Sequence, residues 1–111
     1  MFQLTEDQLT IQDLVRTYAQ GPIKALADEI DKTGRFPGEN IQGLVDLGIL
    51  QLTIPEEYGG TGMDDEVAKC LAVSEVAKCC ASTAEILDVH YLSTDILMRK
   101  GTPEQKARNL P

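Results

Sequence analysis

Leu47-Gly48-Ile49-Leu50-Gln51-Leu52-Thr53-Ile54-Pro55-Glu56-Glu57-Tyr58-Gly59-Gly60-Thr61-Gly62 is the stretch on which the reading of this chain turns. A helical pattern of apolar residues stops at Gly48. Ile49 to Ile54 alternates too weakly for a strand and reads as extended coil. Pro55 then opens a tight acidic turn. Gly59, Gly60 and Gly62 follow, residues that reach positive φ without steric cost. The stretch therefore predicts a structured loop between helices rather than a strand.

Helix signals lie on both sides of it. Upstream, Thr5 and Gln8 have the spacing of a capping box. Ile11, Leu14, Val15, Tyr18 and Ala19 follow at the spacing of one helical face. Pro22 removes a backbone donor and predicts a kink or a new start. Ile23, Leu26, Ala27 and Ile30 then continue the pattern to a stop at Thr33-Gly34. Pro37 opens a third helix, with Ile41, Leu44 and Val45 on its buried side and Gly48 placed to end it.

Downstream, Asp64 or Asp65 caps a fourth helix running to about Cys79. Val67, Ala68, Leu71, Ala72, Val73, Val76 and Ala77 leave Lys69, Glu75 and Lys78 to face water, which predicts burial on more than one side. Ser82 and Glu85 suggest a second capping box, starting a fifth helix that lasts to Lys100. Thr102-Pro103-Glu104-Gln105 is a full start signal for a short sixth, and Leu110-Pro111 would break it. Short links between amphipathic helices predict an all-α bundle of about five to six helices, with residues 1–111 as one domain.

The 111 residues are 42% hydrophobic and 25% charged, an ordinary composition for a soluble protein. With 18 acids against 10 bases the net charge is −8, which argues against binding nucleic acid through its phosphates. No apolar run has the length of a membrane span, and no basic-then-apolar pattern opens the chain. The expected setting is the cytoplasm, with an organelle matrix left open. Cys70, Cys79 and Cys80 lack C-x-x-C spacing and read as reduced, small apolar residues.

Several constellations fail. His90 is the one histidine, so no site with two imidazoles can form, and Glu85 to His90 lacks the Glu-x-x-His spacing of a dimetal bundle. No metal site is expected. The turn glycines do not form G-x-G-x-x-G after a strand. No serine or cysteine has a positional link to His90 that would make a nucleophile set. Ser74, in Ala-Val-Ser-Glu-Val, sits midway along a helix rather than at its start, against a phosphopantetheine carrier.

The quoted loop joins further stretches in register: Leu4-Thr5-Glu6-Asp7-Gln8, Glu29 to Pro37, Cys80-Ala81-Ser82-Thr83-Ala84, and Gly101-Thr102-Pro103-Glu104-Gln105-Lys106. In this order and spacing the chain resembles the N-terminal helical domain of short- and medium-chain acyl-CoA dehydrogenases along its whole length. Any one motif is weak; together they are specific.

The resemblance implies a parent oxidoreductase, a flavoprotein of fatty acid metabolism. It would use FAD to remove hydrogens from Cα and Cβ of an acyl-CoA thioester. It also implies an electron-transfer flavoprotein as partner and a homo-oligomeric assembly, a homotetramer by family precedent. In such enzymes a β-domain and a C-terminal helical domain follow and carry most flavin contacts and the catalytic glutamate. The 111 residues end where that β-domain would begin. They are thus expected to hold no catalytic or cofactor-binding residue, to be inactive alone, and to bind no FAD tightly. Apolar surface made to lean on other domains should then favour self-association.

What the resemblance assigns to this domain is one wall of the acyl-chain pocket, with Ala84, Asp88 and Leu92 at the matching positions. Four-residue spacing would stack them on one helix face. Relatives usually carry small, apolar or neutral residues here, whereas this chain has Glu85, Asp88, His90, Tyr91 and Asp95. An acidic strip facing water or another domain is one reading; a pocket for a polar acyl group, with Asp88 accepting a hydrogen bond, is the other. The alternative to the enzyme is a stand-alone helical interaction module with the same fold and no activity.

Overall fold

The computed structural model describes residues 3–111; Met1 and Phe2, included in the expected domain, lie outside them. The described residues form six α-helices: α1 Glu6–Tyr18, α2 Lys24–Thr33, α3 Gly38–Asp46, α4 Glu66–Ala77, α5 Ala81–Lys100 and α6 Pro103–Asn109. A π-turn, Ala19–Ile23, joins α1 to α2, and a 3-10 turn spans Glu56–Tyr58. The expected all-α bundle is the fold, with no strand among the described residues.

Pro22 neither breaks nor restarts the helix. The Lys24 N–H reaches back to the Ala19 carbonyl, so the wider π ring absorbs the proline's missing donor. Gly34, with φ 69°, ends α2 as expected. At the end of α3 the Gly48 N–H donates to Val45 O and the Ile49 N–H to Leu44 O, the paired bonds of a Schellman motif. Leu44 and Ile49 flank that motif and both are fully buried.

α4 is the central helix, packed between α1 and α5. Its Ala68, Ala72 and Val76 meet Val15, Ala19 and Ile23 from the first helical run and Ala84, Leu87 and Tyr91 from α5 in one core. Asp65 caps α4, accepting from the Val67 and Ala68 N–H groups. The same carboxylate accepts from Gln8 Nε2 at 3.0 Å. Gln8 thus closes the α1 capping box and ties it to the start of α4.

Lys69 and Glu75 do not face water: both are buried, because their charged heads find partners on neighbouring turns and helices. Ser82 forms no cap. Cys80 takes the N-cap position of α5 without a capping side-chain bond, and Ser82 lies exposed in the first turn. Cys80 lies in the core and Cys79 is partly buried against it, but Cys70 is exposed.

Candidate functional site

The loop between α3 and α4 is more compact than extended coil. Leu52 N–H donates to Ile49 O and Ile54 N–H to Gln51 O, so residues 49–54 form successive tight turns. The glycine segment then folds back over them. Thr61 N–H donates to Gln51 O, Gly62 N–H to Ile54 O and Met63 N–H to Leu52 O, while Thr61 Oγ1 donates to Leu52 O at 2.5 Å. Gly59 and Gly62 use positive φ, at 89° and 74°. Gly60 does not. A Cβ there would lie 2.0 Å from the Ile54 carbonyl oxygen, so its requirement is close approach rather than backbone angle.

Adjacent residues of α5 anchor this loop. The Tyr91 hydroxyl donates to Ile49 O at 2.5 Å, and burial pushes the phenol's pKa well up. His90 Nε2 lies 2.8 Å from Leu50 O. A carbonyl only accepts, so that nitrogen carries a proton. His90 is thus a satisfied structural residue, and among the described residues no group of three or more candidate ligands could hold a metal.

Tyr91 also floors an open cleft between α4 and α5. The cleft holds about 380 Å³ and is lined by Glu66, Lys69, Cys70, Asp88, Leu92 and Asp95 among others. Lys69 Nζ lies 2.9 Å from Glu66 Oε1 and 5.8 Å from the centre of the Tyr91 ring. Asp95 is paired with Arg99 at 2.9 Å. No salt bridge among the described residues engages Asp88.

Ala84, Asp88 and Leu92 do not share one face in the sense expected. Eight residues at 3.6 per turn carry the last about 80° around the helix from the first. Ala84 accordingly lies in the core at 5% exposure, whereas Asp88 and Leu92 line the cleft and Leu92 is 61% exposed. Lys69 and Tyr91, which the sequence did not single out for the cleft, complete its inner wall. Lys69 three residues after Glu66 was the available signal, but that spacing fits an exposed pair equally well.

The glycine loop is no phosphate cradle. Its Gly59, Gly60, Thr61 and Gly62 N–H groups all donate to carbonyls of the loop itself. With those groups satisfied internally, the glycine segment has no backbone donor left for a phosphate.

Residues 5–111 match the family described as "Acyl-CoA dehydrogenase, N-terminal domain". The chain belongs to that family. An acryloyl-CoA reductase (NADH) of Anaerotignum propionicum is 36% identical to this acyl-CoA dehydrogenase N-terminal domain over 99% of the chain and 28% of the relative. A short-chain-specific acyl-CoA dehydrogenase of Clostridium acetobutylicum is 37% identical over 98% of the chain and 29% of the relative. A probable acyl-CoA dehydrogenase of Bacillus subtilis, YngJ, is 36% identical over 98% of the chain and 29% of the relative. The chain thus spans less than a third of the length of these relatives. Within this N-terminal domain the glycine loop and α5 are held together by the hydrogen bonds described above, and α5 presents Asp88 and Leu92 at the surface.

Proposed function

We propose that this domain serves an FAD-dependent acyl-CoA dehydrogenase, which interconverts an acyl-CoA thioester and its α,β-unsaturated form. The observation that carries the reading is the family match across residues 5–111, joined to an α5 whose outward side opens on a cleft. In this reading α5 is one wall of the acyl-chain pocket. Leu92 offers apolar contact to the chain, Asp88 stands at the edge, and Ala84 acts from behind by setting how closely α5 packs on the core. Flavin contacts and the catalytic base come from further domains of the parent. The parent acts in the cytoplasm, assembles as a homo-oligomer and passes electrons to an electron-transfer flavoprotein, while the 111 residues alone neither turn over substrate nor hold FAD tightly.

Among the described residues Asp88 is exposed and in no salt bridge; enclosure by the parent's further domains would cost several kcal/mol without a partner. A hydroxyl or amino group on the acyl chain would supply the missing donor. The parent, purified with its flavin, is assayed on plain and on hydroxylated or amino-bearing acyl-CoA thioesters with an artificial electron acceptor. A flavin spectrum, acyl-CoA turnover, and a shift toward shorter chains in L92W support the pocket. A colourless parent without turnover supports the interaction module instead. A clear preference for plain alkyl chains removes the polar-acyl reading and leaves the pocket standing.

A further inference from the structure

The two α5 residues that anchor the glycine loop are consecutive, and they hold consecutive carbonyls. Tyr91 Oη donates to Ile49 O at 2.5 Å, and protonated His90 Nε2 donates to Leu50 O at 2.8 Å. Neighbouring side chains leave a helix axis about 100° apart, so the two bonds grip α5 from different directions. One bond alone would act as a pivot. Two that diverge fix the rotation of α5 about its own axis as well as its distance from the loop.

The carbonyls they hold are themselves fixed. Ile49 N–H donates to Leu44 O at the end of α3, while Thr61 and Met63 N–H return onto Gln51 O and Leu52 O. Asp65 N–H then donates to Met63 O, and Asp65 caps α4. The anchored segment is thus tied to α3 on one side and to the start of α4 on the other. Ala84 and Leu87 seat the first half of α5 in the core. Apolar packing is non-directional and tolerates small rotations that hydrogen bonds, which depend on angle, resist.

Asp88 and Leu92 stand two residues before and two residues after His90. At 100° per residue each projects about 160° from it, across the helix axis from that anchor. With side chains a helix is about 5–6 Å in radius, so a turn of about 20° would carry them sideways by about 2 Å. That exceeds the about 1.5 Å of a carbon–carbon bond.

We infer that His90 and Tyr91 are positioning residues that set the chain-length specificity of the parent enzyme, by fixing the rotation of α5 and with it the wall formed by Asp88 and Leu92. The inference rests on the acyl-pocket reading of α5. Both residues act through the helix, because the loop already engages the Tyr91 hydroxyl and His90 Nε2. Against a fixed apolar wall one methylene more or less changes specificity by about 10–200-fold, and a wall free to turn gives up part of that.

The test measures kcat and KM of the flavin-loaded parent over plain acyl-CoA thioesters of increasing length, with the flavin spectrum and circular dichroism as controls for folding. Y91F keeps the ring in the core and removes the hydroxyl, while Ile49 O retains its bond from Leu52 N–H. H90L removes the donor to Leu50 O, and H90Q returns one, since the glutamine amide nitrogen stands where Nε2 does. Y91F and H90L should each lower discrimination between the best chain and one two carbons longer at least about fivefold, chiefly through KM. H90Q should keep the unaltered profile. Y91F carries the test where H90L loses its flavin. A profile unchanged in Y91F and H90L while L92W shifts it overturns the positioning role and leaves the pocket reading standing. A profile unmoved by L92W as well removes both. Equal effects of H90L and H90Q, or a uniform fall in turnover at every chain length, overturn the positioning role by reporting lost structure instead of a freed wall.

Discussion

Arg16 on α1 grips Glu75 on α4 through two hydrogen bonds, Nη2 to Oε1 at 3.0 Å and Nε to Oε2 at 3.3 Å. Glu75 is only 3% exposed, yet Lys78 and Gln12 also donate to it, at 3.0 and 3.4 Å. A buried carboxylate on the central helix is thereby held by donors from two elements. The hydrogen bond from Arg16, with the added bond from Lys78, keeps the Glu75 carboxyl below its usual range against the opposing effect of burial.

That depression has a sign. The folded chain holds Glu75 ionised at pH values where the unfolded chain, at about 4.3, has begun to take up a proton. The resulting stability is complete above the unfolded value and is lost as pH falls through the lower folded value. E75Q should therefore be less stable at neutral pH and show a shallower loss between about pH 5 and pH 3. Urea unfolding across that range measures it. E75A should cost about 2 kcal/mol at pH 7, the loss expected when hydrogen bonds to a charged group are removed.

Gly60 and Gly59 are neighbours with different requirements, and alanine separates them. At Gly59 nothing lies within 4 Å of an added Cβ, so G59A carries only the strain of a positive φ, about 1 kcal/mol. At Gly60 the added carbon meets the Ile54 carbonyl, and the loop must open, costing about 1–3 kcal/mol. Thermal denaturation should rank G60A below G59A. The reverse order would mean that the loop does not fold back on Ile54.

Leu87 and Leu92 report the inner and outer sides of α5. Leu87 is fully buried, so L87A should lose about 2–5 kcal/mol by removing packed carbon and leaving a cavity. L92A should stay within about 0.5 kcal/mol, since its side chain is largely in water already. Chemical denaturation midpoints of the two variants decide it; comparable losses would place Leu92 in a packed core.

Thr5 and Ser82 carry matching cap signatures in sequence, and only one is used. T5A should cost about 1 kcal/mol by freeing the Gln8 N–H and unfastening the box. S82A should leave the melting temperature unchanged, because the Ser82 position is already within the helix. Ser82 shows why the pattern alone misleads. Its spacing to Glu85 satisfies a box, but the chain enters α5 two residues earlier, at Cys80. Cys80 is buried beside Ala84 and Leu87, so core packing sets where the helix begins.

Much of the architecture was legible along the chain. Apolar periodicity, the Thr5 and Thr102 boxes, the Asp65 cap and the stops at Gly34 and Gly48 are local interactions within a few residues, and they mark the helices where they form. Proline at position 22 was legible as a disturbance, but not its resolution as a π-turn in a segment that also packs against α4. The cleft was half legible. Asp88 and Leu92 reach it, while Ala84 turns into the core, because a four-residue repeat drifts around a 3.6-residue helix.

The sequence by itself determined an all-α chain, most of its helix ends and its family, since these follow from short-range spacing and from motifs in order. The tertiary structure alone decided which charges are buried and which apolar residues stay in water. Glu75 is buried against Arg16 of α1 and Lys69 lies over the Tyr91 ring of α5, while Val89, Leu92 and Ile96 remain in water because no described element packs over that face of α5. Burial depends on neighbours distant in sequence, which a repeat pattern along one helix does not specify.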